Sequence, residues 1–283
     1  MSNLPVLSLE GEMSTNFSGI KRLFEFYHNA NEYSNLTLFI DMYHLDWIDA
    51  NLSSLFSAIL FKLNKENNLI FSTDINYLKE KFDVLFRNGF FISNDKTLDE
   101  RNSTVVLTKF YPNEDKKFID YIEKDLLNHR GMPSFDKSTK AGILNELVEV
   151  YSNIGLHAKT EYPFFVCGQY YPKQEELIFS IVDLGVGFLP AIKNKTDGKI
   201  DDDFKAISWA LEKGNTTKAN GSVGGLGLYN LKNYCKKNNS KIQIVSGNTY
   251  WSSEFETTMF DYREFANPFV GSIINLLFSH KMR

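Results

Sequence analysis

The sequence predicts an α/β protein, and three observations carry that reading. Short apolar runs alternate with amphipathic segments through the first hundred residues, as strands alternate with helices. Further along, two longer apolar runs, "PFFVCGQYY" and "ELIFSIVD", are joined by the turn-like "PKQE" and flanked by helical patterns. The 283 residues are 43% hydrophobic and include 24 phenylalanines, which is enough for a sizeable core.

The elements follow in order. "LPVLSLEGEM" alternates as a strand does, and "NFSGIKRLFEFYHNA" sets Ile20, Leu23, Phe24 and Tyr27 at helical spacing. "LTLFIDM" reads as a buried strand, and Asp49 or Asn51 is placed to cap the helix "LSSLFSAILFKLN". "NLIFST" is a short strand, and "INYLKEKFDVLFRNG" is a helix that stops at Gly89. The polar, proline-containing "FYPNEDKK" marks a boundary, giving domains at 1–112 and 113–283. Two helices come next, one ending at Gly131 and a longer one over "SFDKSTKAGILNELVEVYSNIGLHA". After the two strands the chain reads as polar loop to about Asp203. Then come the helix "FKAISWALEKG", a loop of small residues, the helix "LGLYNLKNYCKKNN" and the strands "KIQIVSG" and "GSIINLLF".

Composition excludes several classes. A net charge of −4 gives no global attraction for nucleic acid or an anionic membrane surface. Cys167 and Cys235 form no CxxC pair and only five histidines are present, so a zinc site or disulfide framework is not expected. No basic segment leads into an apolar core at the N-terminus, and the apolar runs are too short to span a bilayer. The expectation is a soluble, cytoplasmic chain without a membrane partner.

Three separated segments carry the chemistry. In "EVYSNIGLHA", Glu149, Asn153 and His157 are four apart and share one helix face. Read alone, this is more readily a solvated stripe. In "DLGVGF", a strand delivers Asp183 directly into Gly185 and Gly187; the third glycine of a dinucleotide fingerprint is missing, and Pro190 stands in its place. In "GSVGGLGLYNLK", Gly221, Gly224, Gly225 and Gly227 run into a helix, where close backbone approach and free N–H groups suit phosphate. Read alone, the second is a strand end with a turn and the third a flexible linker.

Taken in this order and at these separations, the three segments resemble the GHKL superfamily of ATP-binding domains, the Bergerat fold, over roughly residues 115 to 280. The resemblance implies an α/β sandwich, a mixed sheet covered by helices, with ATP and Mg²⁺ as cofactors. It implies that Asn153 helps hold Mg²⁺ against the phosphates and that Glu149 orients or activates the nucleophile. It gives His157 a phosphate-reaching role, with a neutral core-edge histidine as the alternative. Asp183 is expected to accept a hydrogen bond from the adenine amino group, with Gly185 and Gly187 beside the base. Residues 212–228 resemble the ATP lid. There Gly224, Gly225, Leu226, Gly227 and Leu228 bring backbone to the phosphates and Lys218 contributes a charge. Gly271 and Ser272 resemble the glycine–threonine pair that closes the adenine pocket, with serine keeping the hydroxyl.

The first 110 residues resemble a STAS domain, through element order and "LTLFIDMYHLDWIDANLSSLF". Where phosphorylated members carry a serine after the aspartate, this chain has Ala50 after Asp49, so phosphorylation there is not expected. The resemblances together imply an ATPase, or a serine/threonine protein kinase acting with a STAS-type or other regulatory partner. The alternative is a nucleotide-gated interaction switch with little turnover. Both folds often self-associate, so a homodimer is an open expectation. His129, in "LLNHRG", lacks the acidic residue that usually follows a phosphoacceptor histidine, and Gly131 ends its helix.

Overall fold

The computed structural model describes residues 4–92, 99–157, 161–217, 227–254 and 261–280, with backbone alone at 155–157. It is a mixed α/β structure. The N-terminal unit runs β1 (Val6–Ser8), β2 (Gly11–Met13), α1 (Phe17–Asn31), β3 (Thr37–Asp41), β4 (Leu45–Ile48), α2 (Ser53–Asn67), β5 (Ile70–Ser72), α3 (Ile75–Lys81) and α4 (Val84–Arg87). β1, β3 and β5 form a parallel sheet with β3 central, and β2 pairs with β4, also in parallel.

Local chemistry sets the ends of these helices. Asn16, in extended conformation, accepts from the Gly19 N–H and caps α1, whose apolar stripe buries Ile20, Leu23, Phe24 and Tyr27. Asp74 caps α3 in the same way through the Tyr77 N–H. The single helix expected to run to Gly89 is broken at Phe82, whose backbone leaves the helical region, so α3 and α4 are separate. The Asp49 side chain caps nothing. It accepts from the Thr15 N–H and hydroxyl and from the Trp47 indole N–H, while residues 50–52 make one 3₁₀ turn ahead of α2.

The rest of the chain builds a seven-stranded sheet. Its elements are β6 (Thr104–Phe110), α5 (Asp115–Tyr121), α6 (Lys137–His157), β7 (Phe164–Tyr171), β8 (Glu176–Asp183), α7 (Leu189–Lys195), α8 (Asp203–Ala210), α9 (Gly227–Lys237), β9 (Lys241–Ser246), β10 (Thr249–Ser252), β11 (Arg263–Glu264) and β12 (Ser272–Ser279). The order is β11-β10-β9-β12-β8-β7-β6. Every pairing in it is antiparallel, so the sheet is not the mixed one expected. β6 falls before the expected boundary at 112, yet it pairs with β7; the sheet takes its edge strand from the first segment. α7 occupies part of what reads as loop, with Pro190 in its first turn, where a missing N–H is harmless.

The two faces of this sheet are buried differently. One carries Phe164, Val166, Phe179, Ile181, Ile244 and Ile274 against α5, α6, α8 and α9. The other carries Phe165, Val182, Val245 and Ile273 in one continuous core with α1 and α2 of the N-terminal unit. Phe265 stacks on Phe17 at 4.6 Å, and Tyr27 meets Phe269 edge-on at 4.9 Å, so the segment before β12 is also held by α1. The N-terminal unit is therefore the second cover of the sheet. Among the described residues, no helix is long and apolar enough to cross a membrane.

Candidate functional site

β8 ends at Asp183, and antiparallel pairing sets it directly opposite Ser272, the first residue of β12. The Asp183 carboxylate is only 4% exposed. Its Oδ1 accepts from the Gly185 N–H at 2.8 Å and its Oδ2 from the Ser272 hydroxyl. Burial pushes its carboxyl above the usual carboxylate range, and the Ser272 hydroxyl with the Gly185 and Ser272 N–H groups opposes that rise. Each carboxylate oxygen keeps lone-pair capacity for a further donor.

The glycines after Asp183 have distinct roles. Gly185 is buried and supplies its N–H to the carboxylate. Gly187 has φ of +73°, and a Cβ there would lie 2.7 Å from the Ser246 hydroxyl oxygen. That hydroxyl, opposite Ser272 on β9, accepts from the Phe188 N–H at 2.8 Å and ties the loop to the sheet.

α6 contributes Glu149 and Asn153, four residues apart and both half-buried. α9 starts against them: a Cβ on Gly227 would lie 3.2 Å from Glu149 Cβ, Cγ and Cδ. One turn on, Asn230 donates to Glu146 Oε1 at 2.6 Å and pins the two helices together. Burial raises the Glu146 carboxyl, opposed by the Asn230 bond and reinforced by the charge of Glu149.

These segments meet in one pocket enclosing about 820 Å³ of open space, mouth included. Glu149, Asn153, Asp183, Gly187, Gly227, Leu228 and Ser272 all line it. Gly185 does not; it acts through Asp183. The side chain of His157 lies outside the described residues, as do Lys218, Gly221, Gly224, Gly225 and Leu226. The remaining wall is largely apolar, from Ile154, Phe188, Ile192, Trp209 and Ile274, with Asn215, Thr216 and Thr217 beyond α8. Sequence reading assigns the apolar ones to no site, while Asn215, Thr216 and Thr217 fall within the lid-like segment 212–228. Trp209 sits within an ordinary amphipathic helix pattern, Ile192 belongs to the helix hidden in apparent loop, and Phe188 immediately precedes that helix.

The donor set bears on what the pocket can hold. Its charged described residues are the two carboxylates, with no lysine, arginine or histidine among them. Anionic groups would meet the backbone N–H groups that open α9. Among the described residues no cluster of three or more His, Cys, Asp or Glu is arranged to hold a metal. A hard cation would rest on the Asn153 amide oxygen, with oxygens of the ligand and water completing its shell, a sharing that suits Mg²⁺.

His129 is not available as a phosphoacceptor. It is 6% exposed, its Nδ1 accepts from the Gly131 N–H, and its ring packs near Tyr170. Burial holds its pKa down at about 4, so it is neutral. No protein-family model matches this chain, and no curated protein matches it.

Proposed function

We propose that the chain is an Mg²⁺-dependent ATP-binding protein of the GHKL, or Bergerat, type, with a STAS-like N-terminal unit. The observation that carries this reading is the meeting of Glu149, Asn153, Asp183, Gly187, Gly227 and Ser272 in one pocket. They come from sequence segments up to more than a hundred residues apart, and each is a residue type that adenine or a metal-bound triphosphate requires.

On this reading Asp183 accepts the adenine amino group and Ser272 fixes the carboxylate that does so. The apolar wall, Trp209 and Ile192 included, excludes water from the base. Asn153 and the N-terminus of α9 meet the phosphates. Mg²⁺, when bound, neutralises phosphate charge. Glu149 takes a proton from water or from a protein hydroxyl, making the protein an ATPase or a serine/threonine kinase acting on a regulatory, STAS-type partner. Phosphate release and label transfer from ATP, measured for the wild type and Glu149→Gln, test the chemistry. Turnover lost in the variant with binding retained supports it; turnover unchanged contradicts the role of Glu149.

One observation favours a second reading, a nucleotide-gated interaction switch. The N-terminal unit covers the back of the strands that form the pocket, so a change at the pocket has a second unit to act on. Binding with no turnover in either protein selects this reading.

A further inference from the structure

We propose that Asn51, in the N-terminal unit, is a positioning residue for the pocket, and that docking of this unit and nucleotide binding are coupled through it. The proposal rests on reading the pocket as a nucleotide site. Two polar rows cross the same three strands, β8, β12 and β9. Asp183, Ser272 and Ser246 are ladder neighbours on the pocket face. Ser180, Asn275 and Gln243 are ladder neighbours three residues away, and an odd offset along a strand puts them on the opposite face.

That second row is buried between the sheet and the N-terminal unit, beside a further polar link from the Ala50 N–H to Gln169 Oε1, and unpaired polar groups there are costly. The N-terminal unit satisfies it. Asn51 Nδ2 donates to Ser180 Oγ at 2.8 Å, and the Ser180 hydroxyl donates to Asn275 Oδ1 at 2.7 Å. Asn275 Nδ2 donates to Gln243 Oε1 at 3.1 Å, and Gln243 Nε2 donates to the Thr15 carbonyl at 3.1 Å. Asn51 Nδ2 also donates to Thr15 Oγ1 at 3.0 Å, which closes a ring. Every donor in the ring meets an acceptor, with Asn51 Nδ2 donating in both directions and Thr15 accepting at its carbonyl and its hydroxyl, and Asn51 and Asn275 are fully buried.

A ring of directional bonds across three strands resists slippage alongside the backbone ladder, because a one-residue slip would move each side chain to the other face. The ring therefore reinforces the register, set by the backbone ladder, that puts Ser272 opposite Asp183. Its anchoring amide belongs to the N-terminal unit, so loosening that unit loosens the pair. Linkage is reciprocal: a nucleotide that requires the pair in register must tighten the docking by the same factor.

The test uses the full chain, titrated with ATP and magnesium, as wild type, Asn51→Ala and Phe61→Ala. Phe61 is an interface residue outside the ring, its ring centroid 5.7 Å from that of Phe165, and so controls for general destabilisation. Asn51→Ala is expected to weaken ATP about fivefold or more, with Phe61→Ala within about twofold of wild type despite a lowered melting temperature. In the wild type, saturating ATP is expected to slow hydrogen exchange at the backbone amides of residues 50–54. Folded Asn51→Ala with wild-type affinity overturns the proposal. If Asn51→Ala does not fold, the exchange measurement decides: slowed exchange supports coupling and unchanged exchange overturns it. A wild type that ignores ATP removes the nucleotide reading itself; a wild type that binds while folded Asn51→Ala is indifferent removes this proposal alone.

Discussion

Asp183 and Ser272 face each other at one end of the β8–β12 ladder, and the serine hydroxyl donates into a carboxylate that is almost wholly buried. A buried acid fixed from two sides, by Ser272 and by the Gly185 N–H, cannot turn away from the pocket it lines. Asp183→Asn exchanges an acceptor-only group for one that is half donor. Loss of one hydrogen bond to a charged group corresponds to about 1.5–3 kcal/mol, so adenine nucleotide affinity falls about tenfold or more. Calorimetry on the two proteins checks this. Binding also weakens as pH falls, beginning at a higher pH than for an ordinary aspartate, because burial raises this carboxyl and its ionised form is the acceptor.

Gly227→Ala separates turnover from stability. Alanine is favoured over glycine by about 1 kcal/mol in a helix interior, and Gly227, as the first residue of α9, lies outside that interior. The added Cβ lies 3.2 Å from Glu149 Cβ, Cγ and Cδ, and the carboxylate must shift. The neighbour must give by a few tenths of an ångström, and since a full ångström of misplacement at a catalytic group costs about a hundredfold, a smaller but measurable loss follows. Turnover is expected to drop measurably, by less than about a hundredfold, while the melting temperature holds, as paired activity and thermal-denaturation measurements would show.

His129 gives the fold a pH dependence unrelated to the pocket. The unfolded chain takes up a proton near the ordinary histidine pKa of about 6.5, while the folded state does so only at about 4. Between those values the unfolded state binds more protons, so stability falls as pH falls. From pH 7 to pH 5 the wild type is expected to lose on the order of 2 kcal/mol more than His129→Gln. Urea denaturation at the two pH values measures the difference; equal losses would contradict a neutral buried imidazole.

Local pattern explains which parts of this structure are legible in the sequence. The run that ends at Asp183 is apolar but for Ser180, with a turn-like PKQE before it and glycines soon after, and it forms β8 with the aspartate as its last residue. The spacing of Glu149 and Asn153 puts both on one helix face, and α6 carries them to the pocket. What stays hidden depends on distant partners. Thr104–Phe110 is a strand because β7 lies beside it, and nothing nearby marks which sheet it joins. Asn51 reads as a helix cap because asparagine often caps, yet its amide is used by Ser180, 129 residues away. α7 is masked by Lys193, Asn194 and Lys195; only Ile192 is buried. The break at Phe82 splits a helix whose apolar spacing runs on without interruption.

The most direct test is a calorimetric titration of the intact chain with a nonhydrolysable ATP analogue and magnesium, repeated with the GTP counterpart. Saturable binding of one analogue per chain, with adenine preferred over guanine, is the result expected from a buried acceptor at Asp183. No binding at millimolar concentration, or equal binding of both bases, would contradict it.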